Sequence, residues 1–307
     1  MTQWTFTQFD NGGFPNVAAW TVSNAQGSSY QIQLAWPLSW NTLQVLAKVN
    51  LVYLVDGNAV FGTALDAVRR RRPVSPDEPG TIVVAIGYPL TDRVYDPRRT
   101  VDLTPPCESY VPPNGPDGEA HPEPHGGADQ FLSFIKRTVE PFILSSVFPF
   151  VTPVKTALFG HSYGGLFALH VLFTRPESFD TFLVASPSIW WNDRFILTEE
   201  GRLYDSPALR PLPRVRLSYG SQEQFPARRR GESQDVYERR KKGAAQRRMT
   251  DNCEELYQRL TCNGRVMCEK RAYIDEDHGS VIAPALSGGI LFFLDSVEES
   301  PQRPMRP

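Results

Sequence analysis

Long apolar runs are missing from this 307-residue chain. No stretch approaches the roughly 18 uninterrupted apolar residues that a membrane-spanning helix needs, so no membrane partner is expected. A dominant charge is missing too. The 32 Lys and Arg against 34 Asp and Glu leave a formal net charge of −2, and bulk electrostatics give no reason to expect nucleic acid as a partner. Cysteine is scarce: three of the four, Cys253, Cys262 and Cys268, fall within 16 residues, Cys107 stands apart, and the spacings match neither CxxC pairs nor a disulfide-dense scaffold. They are expected to be free thiols, and the rival zinc reading lacks a nearby histidine before His278. The start, Met1 to Asp10, has neither the basic region nor the apolar run of a secretory signal, and the chain reads as cytosolic.

With 41% hydrophobic and 21% charged residues, the composition is that of an ordinary globular protein with enough chain for a sizeable core. Tyr30 to Ala35 alternates polar and apolar, as a half-buried antiparallel strand does. Val49 to Val55 and Thr81 to Ile86 are continuous apolar runs rich in Val and Ile, the pattern of strands covered on both faces. Thr156 to Phe159 is a further candidate strand, followed by a Gly-rich turn and a helical stretch from Leu166 to Thr174. Phe182 to Ala185, Arg214 to Tyr219 and Lys270 to Ile274 continue the strands, and Pro284 to Val297 reads as a closing helix. Strands alternating with helices predict one α/β domain over residues 1–307, with a mostly parallel sheet and helices on both faces.

Two segments interrupt this order. Residues 104–127 hold seven prolines and should form an irregular excursion. Residues 228–248 carry nine Lys or Arg against three Asp or Glu on a plausible helix, which is either a solvated face or a basic lid.

The chemistry concentrates at Gly160-His161-Ser162-Tyr163-Gly164-Gly165. A G-x-S-x-G elbow places its serine on a strained turn between a buried strand and a helix, and here a predicted strand precedes it and a predicted helix follows. A serine hydroxyl needs a base to remove its proton, and histidine is the side chain suited to that at neutral pH. Five histidines are available. His121 and His125 precede the serine, and His161 and His170 lie in the elbow and its helix. His278 follows the last predicted strand and satisfies the chain order serine, acid, histidine of this elbow class. The acid should lie between Ser162 and His278 at the end of a strand. Glu223 fits best, with Asp193 and Asp235 as fallbacks. An oxyanion hole needs two backbone N–H groups. One falls to Tyr163, and the other to the turn Asp56-Gly57-Asn58 after an early strand.

These stretches, with Tyr53 to Gly57, Ala185 to Asn192, Gly220 to Glu223 and Asp277-His278-Gly279, resemble the α/β-hydrolase esterase family that includes enterobactin esterases, esterase D and the antigen 85 mycolyltransferases. Arg98 to Pro105 and Gly126 to Phe131 resemble segments of its siderophore esterases, most closely the fungal enzymes that hydrolyse triacetylfusarinine C, a cyclic tri-ester hydroxamate siderophore. The resemblance implies a cytoplasmic serine esterase that cleaves such a ligand as its ferric complex and lets iron go. It implies a triad of Ser162, Glu223 and His278 and oxyanion donors at Tyr163 and Asn58. The iron ligands would belong to the substrate, so neither cofactor nor protein metal site is expected. Trp190 and Trp191, on a loop after a strand, either line a pocket or plug the core. Arg98 and Arg99 either meet a polar chelate or are surface arginines. A general carboxylesterase or S-formylglutathione-type thioesterase would share the same triad, and a catalytically dead binding protein of this fold would lack only the activity.

Overall fold

A computed structural model describes residues 3–9, 14–112, 120–207 and 209–295. Among them nine strands form one sheet: β1 (Trp4–Phe9), β2 (Val17–Asn24), β3 (Ser29–Ala35), β4 (Ala47–Leu54), β5 (Gly80–Gly87), β6 (Val151–His161), β7 (Thr181–Ala185), β8 (Arg214–Gly220) and β9 (Met267–Tyr273). The order across the sheet is β1-β2-β3-β5-β4-β6-β7-β8-β9. From β5 to β9 neighbours run parallel, while β1, β2 and β3 form an antiparallel meander joined to β5. The sheet is therefore mostly parallel, as its apolar runs predicted, and the sequence reading missed only the two leading strands of the meander.

Helices cover both faces. They are α1 (Gly57–Arg71), the short α2 (Arg99–Asp102), α3 (Ala128–Phe134), the short α4 (Glu140–Phe142), α5 (Tyr163–Thr174), the short α6 (Trp191–Arg194), α7 (Ile196–Asp205), α8 (Gln234–Arg247), α9 (Met249–Asn263) and α10 (Ile282–Leu294). Strand side chains alternate between faces, so β4 sends Val49, Leu51 and Tyr53 into one core and Val52 and Leu54 into the other. Helices α1 and α10 supply Val60, Phe61, Leu65, Leu286, Ile290 and Phe293 to the second core. Helix α5 is buried from Tyr163 to Phe173, which is why its sequence is apolar on every side rather than along a stripe. It runs from the carboxyl end of β6, and its first residue follows Ser162 directly.

The Pro-rich excursion is pinned where it is described, with residues 113–119 outside the described set. Asn192 accepts from the Val111 N–H (2.7 Å) and donates to the Ser109 carbonyl (2.9 Å), and the ring of Tyr110 stacks on His125 at 3.8 Å. The basic segment is helical over α8, capped by Ser233, whose hydroxyl accepts from the Val236 N–H. The four cysteines are unbridged.

Candidate active site

The turn after β6 explains the glycines around the serine. Ser162 has φ 59° and ψ −116°, a conformation costly for any residue with a Cβ. A Cβ on Gly160 would overlap the Gly164 carbonyl, and one on Gly165 would meet the Ala185 carbonyl oxygen at 2.9 Å. The serine is held by its own backbone: its N–H donates to the Ala185 carbonyl (3.1 Å), and its carbonyl accepts from Ser188 (3.1 Å) and Leu166 (2.9 Å).

His278 comes to this turn from the loop after β9. Gly220, at the end of β8, has no Cβ to collide with the Glu276 carbonyl, so the loop approaches closely. There the Ser221 N–H reaches Tyr273 (2.8 Å), the Gln222 N–H reaches Glu276 (3.0 Å), and the Asp275 N–H reaches the Ser221 hydroxyl (2.9 Å). The result is a continuous hydrogen-bond chain. Glu223 Oε2 lies 2.6 Å from His278 Nδ1, and His278 Nε2 lies 3.1 Å from Ser162 Oγ. The Glu223 side chain is 1% exposed and the His278 imidazole 46%, so a buried carboxyl group holds an imidazole that lies open to solvent. The other carboxylate oxygen, Oε1, accepts from the Ser186 hydroxyl and the Gly220 N–H, both at 2.6 Å. Asp193 and Asp235 are placed elsewhere, in α6 and in the first turn of α8.

Tyr163 is the first residue of α5 and Asn58 the second of α1, so their N–H groups belong to the first helical turn, where no intrahelical acceptor exists. The Asn58 side chain is spent locally: its oxygen accepts from the Tyr88 N–H (2.7 Å) and its amide donates to the Tyr88 carbonyl (2.9 Å). That clip sets the entry angle of α1 and leaves the backbone donor in place.

The paired residues from the sequence separate. Trp191 is fully buried, with Tyr110 and Phe195 around it, so the pocket-lining reading is corrected to a core plug. Trp190 is half-buried beside Tyr163, ring centroids 6.1 Å apart, with the Arg247 guanidinium 5.6 Å from its ring. Arg98 is also corrected: its guanidinium lies over the rings of Tyr30 (4.3 Å) and Tyr88 (4.9 Å) and donates to the Ser29 carbonyl, so it ties its segment to the sheet. Arg99 is no free cation either. It grips Asp56 through two parallel bonds, Nε to Oδ1 at 2.8 Å and Nη2 to Oδ2 at 2.7 Å. Burial works against its charge, but Asp56 outweighs that and raises its pKa. The guanidinium sits 5.3 Å from the Tyr163 ring, and the Tyr163 hydroxyl donates to Glu123 (2.9 Å).

Sequence reasoning missed Ser186, Ser188 and Glu123, and it named Asp56 only as part of the oxyanion turn, without its partner Arg99. Ser186 and Ser188 lie in the Ala185 to Asn192 stretch already singled out, but their partners, Glu223 and the Ser162 hydroxyl at 3.3 Å, are visible only in the fold. A cavity of about 290 Å³ lies at the other end of the sheet, between Trp36, Leu65, Val68 and Leu294, away from this chemistry.

The arrangement can activate a serine and hold an oxyanion, and the family comparison agrees with an ester-cleaving role. The Esterase family model, described as "Putative esterase", matches residues 23–259. The chain belongs to this esterase family. A siderophore enterobactin esterase of Emericella nidulans is 56% identical over 297 residues, covering 95% of this chain and 98% of its own. A siderophore triacetylfusarinine C esterase of Aspergillus fumigatus is 42% identical over 286 residues, covering 92% and 94%. The solved siderophore hydrolase EstA from Aspergillus nidulans superposes with a TM-score of 0.86 at 55% identity, covering 95% of the esterase and 98% of EstA. The chain is thus an α/β-hydrolase-type carboxylic-ester hydrolase, and no helix among its described residues is long and apolar enough to cross a membrane.

Proposed function

We propose that this esterase hydrolyses the ester bonds of a siderophore of the triacetylfusarinine C kind, inside the cell and on the ferric complex, so that iron is released. The observation that carries the chemistry is the hydrogen-bond chain from buried Glu223 through exposed His278 to Ser162 on its strained turn. In this reading Ser162 Oγ attacks the ester carbonyl while His278 Nε2 takes the hydroxyl proton. The tetrahedral oxyanion accepts from the N–H groups of Tyr163 and Asn58. His278 then gives the proton to the departing alkoxide, leaving an acyl-serine and a free hydroxyl. Water, deprotonated by the same imidazole, releases the acid and restores Ser162. Glu223 keeps Nδ1–H pointed at itself and stabilises the transient imidazolium. Iron takes no part in these steps and is given up by the ligand once its esters are cut.

Substrate identity is supported by the names of the relatives, of which the more identical is called an enterobactin esterase and the other a triacetylfusarinine C esterase. Both siderophores therefore belong in the test, ferric and iron-free. Mass spectrometry should find products that have gained one water per ester cleaved, and Ser162→Ala should yield none while remaining folded. Rapid cleavage of S-formylglutathione or p-nitrophenyl acetate with no cleavage of either siderophore would reassign the chain to a general esterase.

A further inference from the structure

The imidazole of His278 is exposed, and Glu223 holds it by one hydrogen bond at Nδ1. A single bond of that kind leaves the ring free to pivot about it, which would swing Nε2 away from Ser162. A second support lies against the ring. His161, the last residue of β6, is 6% exposed, and its ring stands 4.5 Å from that of His278 at an interplanar angle of 42°.

We propose that His161 is a positioning residue for the base, a buried ring packed against the His278 imidazole that keeps Nε2 aimed at Ser162. This rests on the reading of Ser162, Glu223 and His278 as the reacting set. Its chemistry suits the task. A cation here would repel the imidazolium that His278 becomes during turnover, and His161 is kept neutral: burial first, then the facing charges of His278 and Arg99, push its pKa well below the usual histidine value. The other charged groups nearby, Asp56 and Glu223, are already paired with Arg99 and His278. A phenylalanine would supply the ring face, and an asparagine would not.

That division is the test. On p-nitrophenyl acetate, His161→Ala should lower kcat by about 10- to 100-fold, the order expected when a reacting group is displaced by about 1 Å, with little change in KM. His161→Phe should recover most of that loss and His161→Asn little of it, and phosphorylation of Ser162 by diisopropyl fluorophosphate should slow in parallel with kcat. A His161→Ala protein that is folded by circular dichroism and keeps kcat within roughly twofold overturns the proposal, as does a folded His161→Asn variant with full kcat if the alanine variant does not fold. Inactive Ser162→Ala and His278→Ala controls separate the two readings. Activity in those controls sinks the reacting set itself, whereas their inactivity beside a fully active His161→Ala sinks only the role of His161.

Discussion

Glu223→Gln probes the acid with almost no change of shape, and the hydrogen bonds around it dictate what the amide must do. Oε1 accepts from both the Ser186 hydroxyl and the Gly220 N–H. The hydroxyl can rotate, but a backbone N–H cannot stop being a donor, so the amide oxygen must take the Oε1 place. The NH₂ group then replaces Oε2 and faces His278 Nδ1 across 2.6 Å. Two donors cannot share that line. The imidazole resolves the conflict by moving its proton to Nε2, which turns the nitrogen facing Ser162 from a base into a donor. The fold survives while the base is lost. Fixing the wrong tautomer costs roughly 10⁴-fold in kcat, equivalent to about 5 kcal/mol of transition-state stabilisation. KM should hardly move, because the buried carboxylate does not touch substrate. The assay is steady-state hydrolysis of the siderophore ester, with the rate of fluorophosphonate labelling as a substrate-independent check and a melting curve as a control for folding. A well-folded Glu223→Gln enzyme within tenfold of wild type would refute the reasoning, and equal damage from Asp193→Asn or Asp235→Asn would show that the acid has been misassigned.

Arg99→Ala should destabilise the protein by about 3–5 kcal/mol in urea unfolding, because it leaves the Asp56 carboxylate buried and unpaired at the start of α1, and adding Asp56→Asn should restore most of that. His170, at 0% exposure, sits between Glu199 (2.6 Å) and Asp129 (3.2 Å). Burial lowers its pKa, the two carboxylates outweigh this, and the net shift is upward, while His170 holds Asp129 below its ordinary value. A raised histidine pKa stabilises fully below the unfolded value of about 6.5 and loses that contribution as pH rises through the folded value; a lowered aspartate pKa stabilises above about 3.9 and loses it on acidification. The stability gap between wild type and His170→Gln should therefore be widest from about pH 4 to 6.5 and narrow toward alkaline pH, and a gap that widens with pH would contradict the sign. Exhaustive chelation should leave hydrolysis of the iron-free ester unchanged, since the proposed chemistry draws its proton transfer from His278 and its oxyanion donors from backbone; a loss restored by a divalent metal would count against it.

What could be read from the sequence is what local chain chemistry dictates. Strands β4 and β5 are legible because burial on both faces leaves continuous apolar runs, β6 to β8 through shorter ones, and the elbow is legible because a serine at positive φ needs small neighbours. Glu223 and His278 were within reach because each follows a strand directly, and parallel strands in one sheet deliver their carboxyl ends to one edge. Strands β1 and β2 carry weaker signals, since Thr7, Thr21 and Ser23 alternate with the apolar residues on the more open face and no continuous apolar run forms. The stretch from Ile135 to Val147 hides its helix for another reason: π-helical turns at Ile135–Val139 and Ile143–Val147 disturb the 3.6-residue period on which the helical reading depends. The paired residues mark the limit most sharply. Arg98 and Arg99 are adjacent and chemically identical, yet Asp102 and the Tyr30 and Tyr88 rings claim one, while Asp56, 43 residues away, claims the other. Trp190 and Trp191 divide in the same way: they sit on a turn whose next residues, Asn192 and Asp193, have positive φ, and Tyr110 and Phe195 pack around Trp191 alone. Adjacency in sequence therefore carries no information about shared function when each member's partner is set by tertiary contact. The same reasoning explains why His161, next to the nucleophile in the chain, bears on the base rather than on the serine: its side chain leaves the turn on the side where the His278 loop arrives.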